Sequence, residues 1–599
     1  MSNAGLHLSL NPVQSIPEAL RLRSQEQGNE LAYVFLHDGE EPAETMTFSE
    51  LDRAAEQRAV VFAAAGLAEE PALLLYRPGL EFIRSLLGCM YGGVASAPVQ
   101  VPRHRQGLAK LRRIADDAGT RTVLTTAAVK EALQDGFGGL PELDGITLLA
   151  TDSIEYAAAD LWSGPWPESG DIALLQYTSG STRDPKGVMV SHGNFLANIR
   201  ETEELWPCGD DGTFVNWLPL FHDMGMMFGV VLPLWAGATS YLMAPESFIR
   251  RPARWPEAIA RFGGTHAAAP NFAYEVCVRA AAEGKMKGVA DLSKWRVAVN
   301  GAEPVRWQTL QTFAAAFAGH GFDPRAMCPG YGLAENTLKA TGSQQDREPT
   351  AVWLSINALA EGRLDPRPAG DGATTPVVSC GIPAPGTEIR IVRPDTREVC
   401  PPDRVGEIWI SGPCVAEGYW LQPDSTEETF HGRLADPVAG SSPTYLRTGD
   451  LGFLHDGELY VTGRFKDIIV HQGRNYYPQD IELSAENSVD GLHPNCAAAF
   501  CVDDGTRESL ILVVELDGRV LKSSGAAVAR RRILEAVWAQ HRLAADTVLI
   551  VRRGALPKTS SGKIQRQACR KNYMEGGFTD LAGEFPVDSA SVSATQESA

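Results

Sequence analysis

The sequence lacks the patterns that mark several large classes of protein. It has no run of about 18 or more apolar residues, the length a transmembrane helix requires, so we expect no stable membrane insertion. The N-terminal residues MSNAG begin neither the basic region nor the apolar core of a secretory signal. The ten cysteines are scattered and form neither a CxxC pair nor a zinc-ligand spacing. Without an export signal they indicate reduced thiols and a cytoplasmic protein.

Positive charge is also scarce, with 54 lysine and arginine residues against 74 acidic ones and a net charge of −20. That balance disfavours a general nucleic-acid binder, although a local site could still bind an anion. A basic stretch over residues 103–113 is best explained as a solvated helix face, and docking of an acidic partner is the alternative. With 599 residues, 44% of them hydrophobic, the chain is long enough for two or more globular domains.

Strand and helix patterns alternate through residues 1–165, which predicts a mostly parallel α/β layer. A capped helix start is expected at Ser15, and the stretch from Thr47 to Asp52 is expected to open another helix. Residues 343–380 are rich in proline and glycine and indicate a long loop or an insertion. Residues 381–460 alternate apolar and polar positions, which is typical of a small antiparallel barrel or sheet.

A domain boundary is expected near Gly463 to Asp467, because a compact α+β pattern follows it. The predicted fold class is therefore α/β, with a large N-terminal domain over residues 1–465. That domain contains two layered α/β subdomains and a small β-barrel. A small, mobile α+β domain follows over residues 466–585. Residues 586–599 are rich in serine, alanine and threonine and predict a disordered tail.

The stretch YTSGSTRDPKG at residues 177–187 has the chemistry of a loop that binds phosphate. Hydroxyls and exposed backbone N–H groups can donate hydrogen bonds to phosphate oxygens, and glycine lets the backbone approach closely. Lys186 adds a cation, and the apolar runs on either side indicate two strands. The hydroxyl- and glycine-bearing positions are Thr178, Ser179, Gly180, Ser181 and Thr182.

This loop is not a Walker A motif, since Lys186 precedes Gly187 instead of following it. A P-loop kinase or ATPase is therefore excluded as the leading interpretation. Taken alone, the stretch could equally be a surface turn rich in serine, threonine and glycine. Other stretches of the chain favour the phosphate-binding interpretation.

A histidine–aspartate pair, His222-Asp223, follows an apolar strand and precedes a helix rich in methionine and glycine. This arrangement suits a carboxylate substrate beside an apolar pocket. Methionine is a good lining for such a pocket, because its flexible side chain adapts to a flexible ligand. The alternative for His222 alone is a core histidine, and the alternative for the apolar residues is ordinary core packing. The candidate lining residues are His222, Asp223, Met224, Met226, Met227, Phe228, Val231 and Phe272.

Two further stretches suit a nucleotide. The segment Gly301-Ala302-Glu303 follows an apolar strand and offers an edge on which a base or ribose could rest. Tyr331 could stack on a purine. Glu335 could hold Mg²⁺, which prefers carboxylate together with phosphate oxygens.

In order along the chain, these stretches resemble the motifs of the adenylate-forming enzymes, which include acyl-CoA synthetases, peptide-synthetase adenylation domains and luciferases. The signature loop of that family follows roughly [YF]-T-S-G-[ST]-T-G-x-P-K-G, and this chain departs from it at Arg183, where glycine is usual. The resemblance covers nearly the whole chain. The other matching motifs are His222-Asp223, Gly301-Ala302-Glu303, Tyr331 to Thr337, Arg447 to Asp450, Gly463-Arg464 and the loop that contains Lys563.

The resemblance implies that the chain uses ATP and Mg²⁺ to convert a carboxylate to an acyl adenylate. Thr178 to Lys186 would hold the β- and γ-phosphates, and Glu335 would hold Mg²⁺. Lys563 would lie between the acyl carboxylate and the α-phosphate, and Lys466 would be the hinge between the domains. The implied catalytic residues are Lys563, Thr178, Lys186, Glu335 and His222. The remaining implied ATP contacts are Gly301, Ala302, Glu303 and Tyr331 for adenine, and Asp450 and Arg464 for ribose, together with Gly332 and Leu333.

Within this superfamily the chain is most similar to the fatty acyl-AMP ligases. The resembling stretches include LPLFHDMG at 218–225, NGAEP at 300–304 and DIIVHQGRNYYPQDIE at 467–482. Residues 343–380 also resemble the insertion that marks these ligases. The implied substrate is a medium- or long-chain fatty acid. The implied acceptor is the phosphopantetheine thiol of an acyl carrier protein, either standalone or part of a polyketide or peptide synthase.

Three alternatives remain open at this point. An acyl-CoA ligase would share the first step and use coenzyme A as acceptor. A nucleotide-binding or docking protein without turnover would keep the fold but is disfavoured by the intact Thr178, Lys186, Glu335, Asp450 and Lys563. An amino-acid adenylation domain would need a buried aspartate for the substrate ammonium, and the only candidate, Asp223, belongs to the ligase pattern.

Overall fold

The computed structural model describes residues 13–156, 161–177, 185–209, 211–371, 373–436, 443–471, 474–503, 508–523, 525–559 and 562–583. The chain divides into two compact units that meet between Phe465 and Lys466. Each unit has its own apolar core. The tail predicted over residues 586–599 lies outside the described residues.

The strands of the large unit follow in chain order. They are β1 (Leu31–His37), β2 (Glu41–Thr47), β3 (Ala72–Leu75), β4 (Ser96–Pro98), β5 (Thr122–Thr125), β6 (Thr147–Ala150), β7 (Ile172–Tyr177), β8 (Gly187–Ser191), β9 (Thr213–Asn216), β10 (Thr239–Met243), β11 (His266–Ala269), β12 (Val297–Asn300), β13 (Met327–Gly332), β14 (Lys339–Gly342), β15 (Ala351–Ser355), β16 (Thr374–Val378), β17 (Ile382–Pro383), β18 (Glu388–Val392), β19 (Gly406–Ser411), β20 (Leu446–His455) and β21 (Glu458–Arg464).

The α-helices of the large unit connect and flank these strands. They are α1 (Ile16–Gln27), α2 (Phe48–Ala64), α3 (Leu80–Tyr91), α4 (Arg105–Ala118), α5 (Ala127–Phe137), α6 (His192–Leu205), α7 (Asp223–Met226), α8 (Leu232–Ala236), α9 (Pro245–Arg250), α10 (Arg254–Phe262), α11 (Asn271–Ala282), α12 (Trp307–Phe317), α13 (Ile356–Ala360) and α14 (Pro423–Phe430). A π-helical turn, Met227–Val231, joins α7 to α8.

The described strands of the large unit build two α/β layers. One sheet has the order β6-β5-β3-β4-β7-β8, with all neighbours parallel except β7 and β8. The other has the order β17-β14-β13-β12-β11-β9-β10-β1-β2 and is parallel from β13 to β1. Strands buried on both faces need continuous apolar sequence, and β3 (ALLL) and β11 (HAAA) are fully buried. The predicted α/β class is confirmed.

The parallel strands also place the candidate site. The loop at 177–187 follows the carboxyl end of β7, the segment from Gly301 follows β12, and Tyr331 lies near the end of β13. Ligands of α/β sheets bind beyond the carboxyl ends of the strands. Three of the sequence motifs therefore begin at strand ends of the kind where this architecture binds ligands.

Local sequence signals explain the helix starts. The Ser15 side chain accepts a hydrogen bond from the Glu18 amide at the start of α1. Thr47 and Glu50 form a complete capping box at the start of α2. The basic face of α4 is engaged in ion pairs at the surface, such as Arg112 with Asp116. That finding favours the solvated-face interpretation of this stretch.

The region around residues 343–380 is more ordered than its composition indicated. β15 and β16 form an antiparallel hairpin, and α13 lies between them in sequence. The hairpin is held at its base, where the Cys380 amide donates to the Leu459 carbonyl of β21. The region predicted as a small barrel or sheet is a four-stranded antiparallel sheet with the order β18-β19-β20-β21.

The small unit is an α+β structure. Its strands are β22 (Ile469–His471), β23 (Arg474–Tyr476), β24 (Ala497–Asp503), β25 (Glu508–Leu516) and β26 (Thr547–Arg552). Its helices are α15 (Pro478–Asn487), α16 (Gly518–Ser523), α17 (Ala526–His541) and α18 (Arg566–Met574). β24, β25 and β26 form one sheet, with β26 parallel to β25. Across the described residues of both units, no helix combines the length and apolar composition needed to cross a bilayer.

Candidate active site

The signature loop is anchored at both of its ends. Tyr177 ends β7 and pairs with Gly187 at the start of β8. The Tyr177 hydroxyl donates to Asp117 Oδ2 at 2.7 Å. Burial, and to a smaller extent this hydrogen bond, raise the pKa of Tyr177. Gln422 Nε2 donates both to Asp117 Oδ1 at 2.7 Å and to the Pro185 carbonyl at 3.1 Å. The predicted contacts Thr178, Ser179, Gly180, Ser181 and Thr182, with Arg183 and Asp184, lie outside the described residues.

Lys186 is the described member of that loop which carries charge. Its Nζ donates to Ser425 Oγ at 3.2 Å and lies 4.6 Å from the centroid of the Tyr419 ring. A cation above an aromatic face is attracted by the ring quadrupole. The ammonium is thus held in place by contacts from a different part of the chain.

Glu335 lies half-buried on a short turn between β13 and β14. Its Oε1 accepts a hydrogen bond from the Tyr419 hydroxyl at 2.8 Å, and its backbone carbonyl accepts from the Ala416 amide at 2.9 Å. Burial raises the pKa of the Glu335 carboxyl, and the bond from Tyr419 opposes that rise. Thr337 ends the turn with a φ of 63°, in the left-handed region that most residues avoid.

The residues around Glu335 fit a magnesium ion that is bound mainly through a nucleotide. Among the described residues, no group of three or more histidine, cysteine, aspartate or glutamate side chains could form a metal cage. Mg²⁺ is commonly held by one or two carboxylates plus substrate phosphates, with water completing the octahedron. A single carboxylate held by Tyr419 suits that arrangement.

Asp450 is the second carboxylate of the site and is 8% exposed. Its Oδ2 accepts from the Tyr331 hydroxyl at 2.8 Å, and its Oδ1 accepts from Arg464 Nε at 3.2 Å. Burial and the charge of Asp450 raise the pKa of Tyr331 well above its ordinary value. Tyr331, Asp450 and Arg464, separated widely in the sequence, therefore form one hydrogen-bonded group.

The predicted adenine edge has a constrained backbone. A Cβ on Gly301 would lie 2.9 Å from the Gly330 carbonyl oxygen, so only glycine fits this close approach. Ala302 adopts a φ of 64°. Glu303 accepts a hydrogen bond from the Phe272 amide, which gives its carboxylate a capping role at the start of α11.

The next two predicted ATP contacts, Gly332 and Leu333, lie directly after Tyr331. A Cβ on Gly332 would lie 1.8 Å from the Leu338 carbonyl oxygen, so this position also requires glycine. The Leu333 amide donates to the same carbonyl at 2.8 Å. The close approach at Gly332 and the Leu333 hydrogen bond constrain the backbone between Tyr331 and Glu335.

His222 and Asp223 meet at the start of α7, where His222 Nδ1 lies 2.6 Å from Asp223 Oδ1. Both side chains are partly exposed. The predicted pocket residues Met224, Met227 and Phe228 follow and are all buried. Phe272 lies edge-on to Trp217, with ring centroids 6.2 Å apart.

The helix that carries these residues is irregular at this point. It widens to a π turn over Met227–Val231, and Pro233, which lacks an N–H, follows in the next turn. π turns are frequent at functional sites. The structure thus places an irregular apolar helix directly after the His222–Asp223 pair.

Two side chains of the site, those of Tyr419 and Asp117, were not predicted from the sequence. Tyr419 contacts both Lys186 and Glu335. Asp117 accepts hydrogen bonds from Tyr177, at one end of the signature loop, and from Gln422, whose amide also donates to the Pro185 carbonyl at the other end. Tyr419 stands between Gly418 and Trp420, so composition alone gives no signal for it. Asp117 is one of two adjacent aspartates at the end of α4, and nothing in the sequence distinguishes it from Asp116.

In the small unit, Lys563 stands on a tight turn. Its amide donates to Thr559 Oγ1 at 3.1 Å, and its carbonyl accepts from the Thr559 amide at 2.8 Å. Lys466 is exposed at the first position of this unit. The next residue, Asp467, is anchored by Arg566 Nη1 at 3.2 Å.

Comparison with known proteins gives matches along almost the whole chain. Residues 20–420 match the family described as AMP-binding enzyme, and residues 466–582 match the family described as Disco-interacting protein 2-like, AMP domain. The medium-chain-fatty-acid–[acyl-carrier-protein] ligase JamA of Moorena producens is 40% identical over 96% of this chain and 97% of its own. The long-chain-fatty-acid–AMP ligase FadD26 of Mycobacterium marinum is 36% identical over 95% and 98%.

Solved structures agree with these matches. The fatty acid AMP ligase from Legionella pneumophila is 37% identical, with a TM-score of 0.73, and the match covers 95% of this chain and 97% of that one. A second structure, from a study of fatty acyl-adenylate ligases from E. coli and L. pneumophila, has a TM-score of 0.82 at 28% identity. It covers 94% of this chain and 98% of its own.

Proposed function

Because the chain belongs to the AMP-binding enzymes, and among them to the fatty acyl-AMP ligases, we propose that it activates a medium- or long-chain fatty acid with ATP. The acid becomes an acyl adenylate, and pyrophosphate is released. The acyl group then passes to the phosphopantetheine thiol of an acyl carrier protein. The protein is an ATP-dependent ligase.

In the first step, a carboxylate oxygen of the fatty acid attacks the α-phosphorus of ATP. The bond from that phosphorus to the bridging oxygen breaks, and pyrophosphate leaves with the electron pair. The barrier arises from repulsion between two anions and from charge that builds at the α-phosphate. Cations and N–H donors aimed at that charge lower the barrier.

The residues of the large unit divide this task. Lys186 and the signature loop, including Thr178 to Thr182, bind the β- and γ-phosphates. Tyr331 and the edge from Gly301 to Glu303 bind adenine. Asp450 accepts hydrogen bonds from the ribose hydroxyls, with Arg464 beside it. Glu335 holds Mg²⁺, which when bound neutralises charge on the phosphate oxygens.

One geometric observation carries this proposal. Tyr419 contacts both the Lys186 ammonium and the half-buried Glu335 carboxylate. These groups lie near the carboxyl ends of the parallel strands. A triphosphate with its metal ion needs a cation and a metal ligand side by side. The ribose-binding carboxylate Asp450 belongs to the same unit.

Two roles are assigned to the small unit. Lys563 contacts both the acyl carboxylate and the α-phosphate during adenylation. Lys466 is the hinge on which the small domain, residues 466–585, rotates between the two half-reactions. The hairpin within residues 343–380 limits that rotation and so disfavours coenzyme A. The fatty acid chain occupies the apolar region of Met224, Met227, Phe228 and Phe272, beside His222 and Asp223.

In the second step, the thiolate sulfur of the carrier attacks the acyl carbonyl carbon, and AMP leaves. The support for a carrier protein as acceptor is the similarity to a protein named as an acyl-carrier-protein ligase. Coenzyme A is the second candidate acceptor, because another relative, 36% identical, is named a putative fatty-acid–CoA ligase. Both acceptors present the same phosphopantetheine thiol. ATP is an intracellular cosubstrate, and we place the protein in the cytoplasm.

The test is mass spectrometry of the products that the purified protein makes from ATP, Mg²⁺ and a series of fatty acids. Acyl-AMP is expected without any acceptor. Acyl carrier protein bearing phosphopantetheine is expected to be acylated, whereas coenzyme A stays largely free. Acyl-CoA as the main product would reassign the acceptor, and absence of acyl-AMP across the series would refute the activity.

A further inference from the structure

Tyr419 lies between two charged groups that the proposed function assigns to the triphosphate. Its hydroxyl donates to Glu335 Oε1 at 2.8 Å, and the Lys186 ammonium lies 4.6 Å from the centroid of its ring. A hydrogen bond to a carboxylate is roughly twice as strong as one between neutral groups. One side chain therefore contacts a candidate metal ligand and a candidate phosphate ligand at the same time.

The backbone of Tyr419 is fixed independently of these two contacts. The Met189 amide donates to the Gly418 carbonyl at 2.9 Å, and the Trp420 amide donates to the Gly187 carbonyl at 2.8 Å. These bonds attach the segment to the free edge of β8, directly after the signature loop. Tyr419 itself is 7% exposed. Its ring thus has a defined position beside that loop.

The same segment is attached to the turn that carries Glu335. The Ala416 amide donates to the Glu335 carbonyl at 2.9 Å, and Thr337 Oγ1 donates to the Cys414 carbonyl at 2.8 Å. These bonds hold the turn although Thr337 has a left-handed φ of 63°. The loop lysine and the turn carboxylate are therefore braced against one strip of backbone, with the Tyr419 side chain between them.

We infer that Tyr419 is a positioning residue that holds the Glu335 carboxylate and the Lys186 ammonium at a fixed separation, so that metal ion and triphosphate are bound together. This inference rests on the proposed function. Tyr419 contacts the two charged groups through two different parts of its side chain, which we call its two arms. Of the two charged groups, Glu335 is contacted by the phenol oxygen and Lys186 by the face of the ring.

The two arms can be tested with binding of α,β-methylene-ATP, an analogue that the enzyme cannot cleave. Calorimetry gives its dissociation constant in Mg²⁺ and again in EDTA, without any turnover. Tyr419→Phe keeps the ring and removes the oxygen. We expect it to reduce the gain in affinity on adding Mg²⁺ about tenfold, since a hydrogen bond to a charged group is lost. Its affinity in EDTA should stay within about twofold of wild type.

Tyr419→Leu removes both arms. We expect the same loss of the Mg²⁺ gain, together with affinity in EDTA that is about threefold weaker, because Lys186 loses its ring contact. The Tyr419 ring packs edge-on against Phe430 at 5.1 Å, so this variant could fold less completely. A smaller folded fraction raises both apparent dissociation constants by the same factor, so the ratio of the two constants is unaffected by it.

Tyr460→Phe is the matched control. Tyr460 belongs to the same unit and donates its hydroxyl to Glu458 Oε2 at 3.2 Å, and neither residue is assigned to the site. It should show the wild-type constants in both conditions. The inference is overturned if Tyr419→Phe keeps the wild-type Mg²⁺ gain, or if it weakens binding equally with and without metal. Failure of wild type itself to bind the analogue would instead refute the proposed function, and the inference with it.

Discussion

Replacement of Asp450 by asparagine tests whether this carboxylate recognises the ribose of ATP. The Asp450 side chain is 11% exposed and already accepts hydrogen bonds from Tyr331 and Arg464. Two carboxylate oxygens offer about four acceptor positions, so the group has capacity for further donors. The ion pair with Arg464 adds little, about 0–1 kcal/mol, since the Arg464 side chain is 58% exposed.

The magnitude follows from the charge that is removed. A hydrogen bond to a charged acceptor contributes about 1.5–3 kcal/mol, and two ribose hydroxyls would together contribute about 3–6 kcal/mol. Asparagine keeps one neutral acceptor, so we expect a net loss of about 2–4 kcal/mol. This corresponds to ATP binding that is roughly 30- to 1,000-fold weaker.

The assay is calorimetric titration of ATP and of 2′-deoxy-ATP into wild type, Asp450→Asn and Tyr331→Phe. Wild type should bind ATP at least about tenfold more tightly than the deoxy nucleotide, and Asp450→Asn should lose that preference. Tyr331→Phe retains the carboxylate and should keep it. Preserved discrimination in Asp450→Asn would refute the assignment of ribose to this residue, even if overall affinity fell.

Three further predictions concern other groups. Lys563→Ala should reduce the rate of acyl-AMP formation by at least about 10²-fold in single-turnover assays, because one charge-stabilising donor is lost. A rate near that of wild type would show that Lys563 is an ordinary loop lysine. Lys466→Pro fixes φ and should impair one half-reaction more than the other when acyl-AMP formation and thioester formation are timed separately; equal losses would argue against a hinge. Burial lowers the pKa of both His192 and His266 to about 4. In the unfolded chain the histidine pKa is near 6.5, so between about pH 6.5 and pH 4 the unfolded chain binds more protons than the folded one. The free energy of unfolding should therefore drop as pH falls through this range, by up to roughly 1.4 kcal/mol per pH unit for each histidine. Urea unfolding measured across that pH range should show that the free energy of unfolding depends less steeply on pH in His266→Gln than in wild type. An unchanged slope would contradict the lowered pKa of His266.

Much of the fold could be predicted because its signals are local. The apolar run from Leu80 to Tyr91 is typical of a buried helix, and α3 has those bounds. The apolar run before the signature loop likewise indicated a strand, and β7 is formed there. Capping at Ser15 and Thr47 depends on residues three positions apart, so sequence order alone reveals it. The hairpin within residues 343–380 was not predicted, since its strands lack clear alternation and depend on pairing with each other.

The sequence by itself determined the reaction class and the two-layer α/β architecture, because each motif and each apolar pattern is a continuous stretch of the chain. Only the tertiary structure decided which side chains share a site. Tyr419 lies 84 residues from Glu335, and Tyr331 lies 119 residues from Asp450. Glu303 was expected at the adenine edge, and its bond to the Phe272 amide appears only when β12 and α11 are placed together. Hydrogen bonds of 2.5–3.2 Å require positions that strand order and packing set, and no local pattern encodes them.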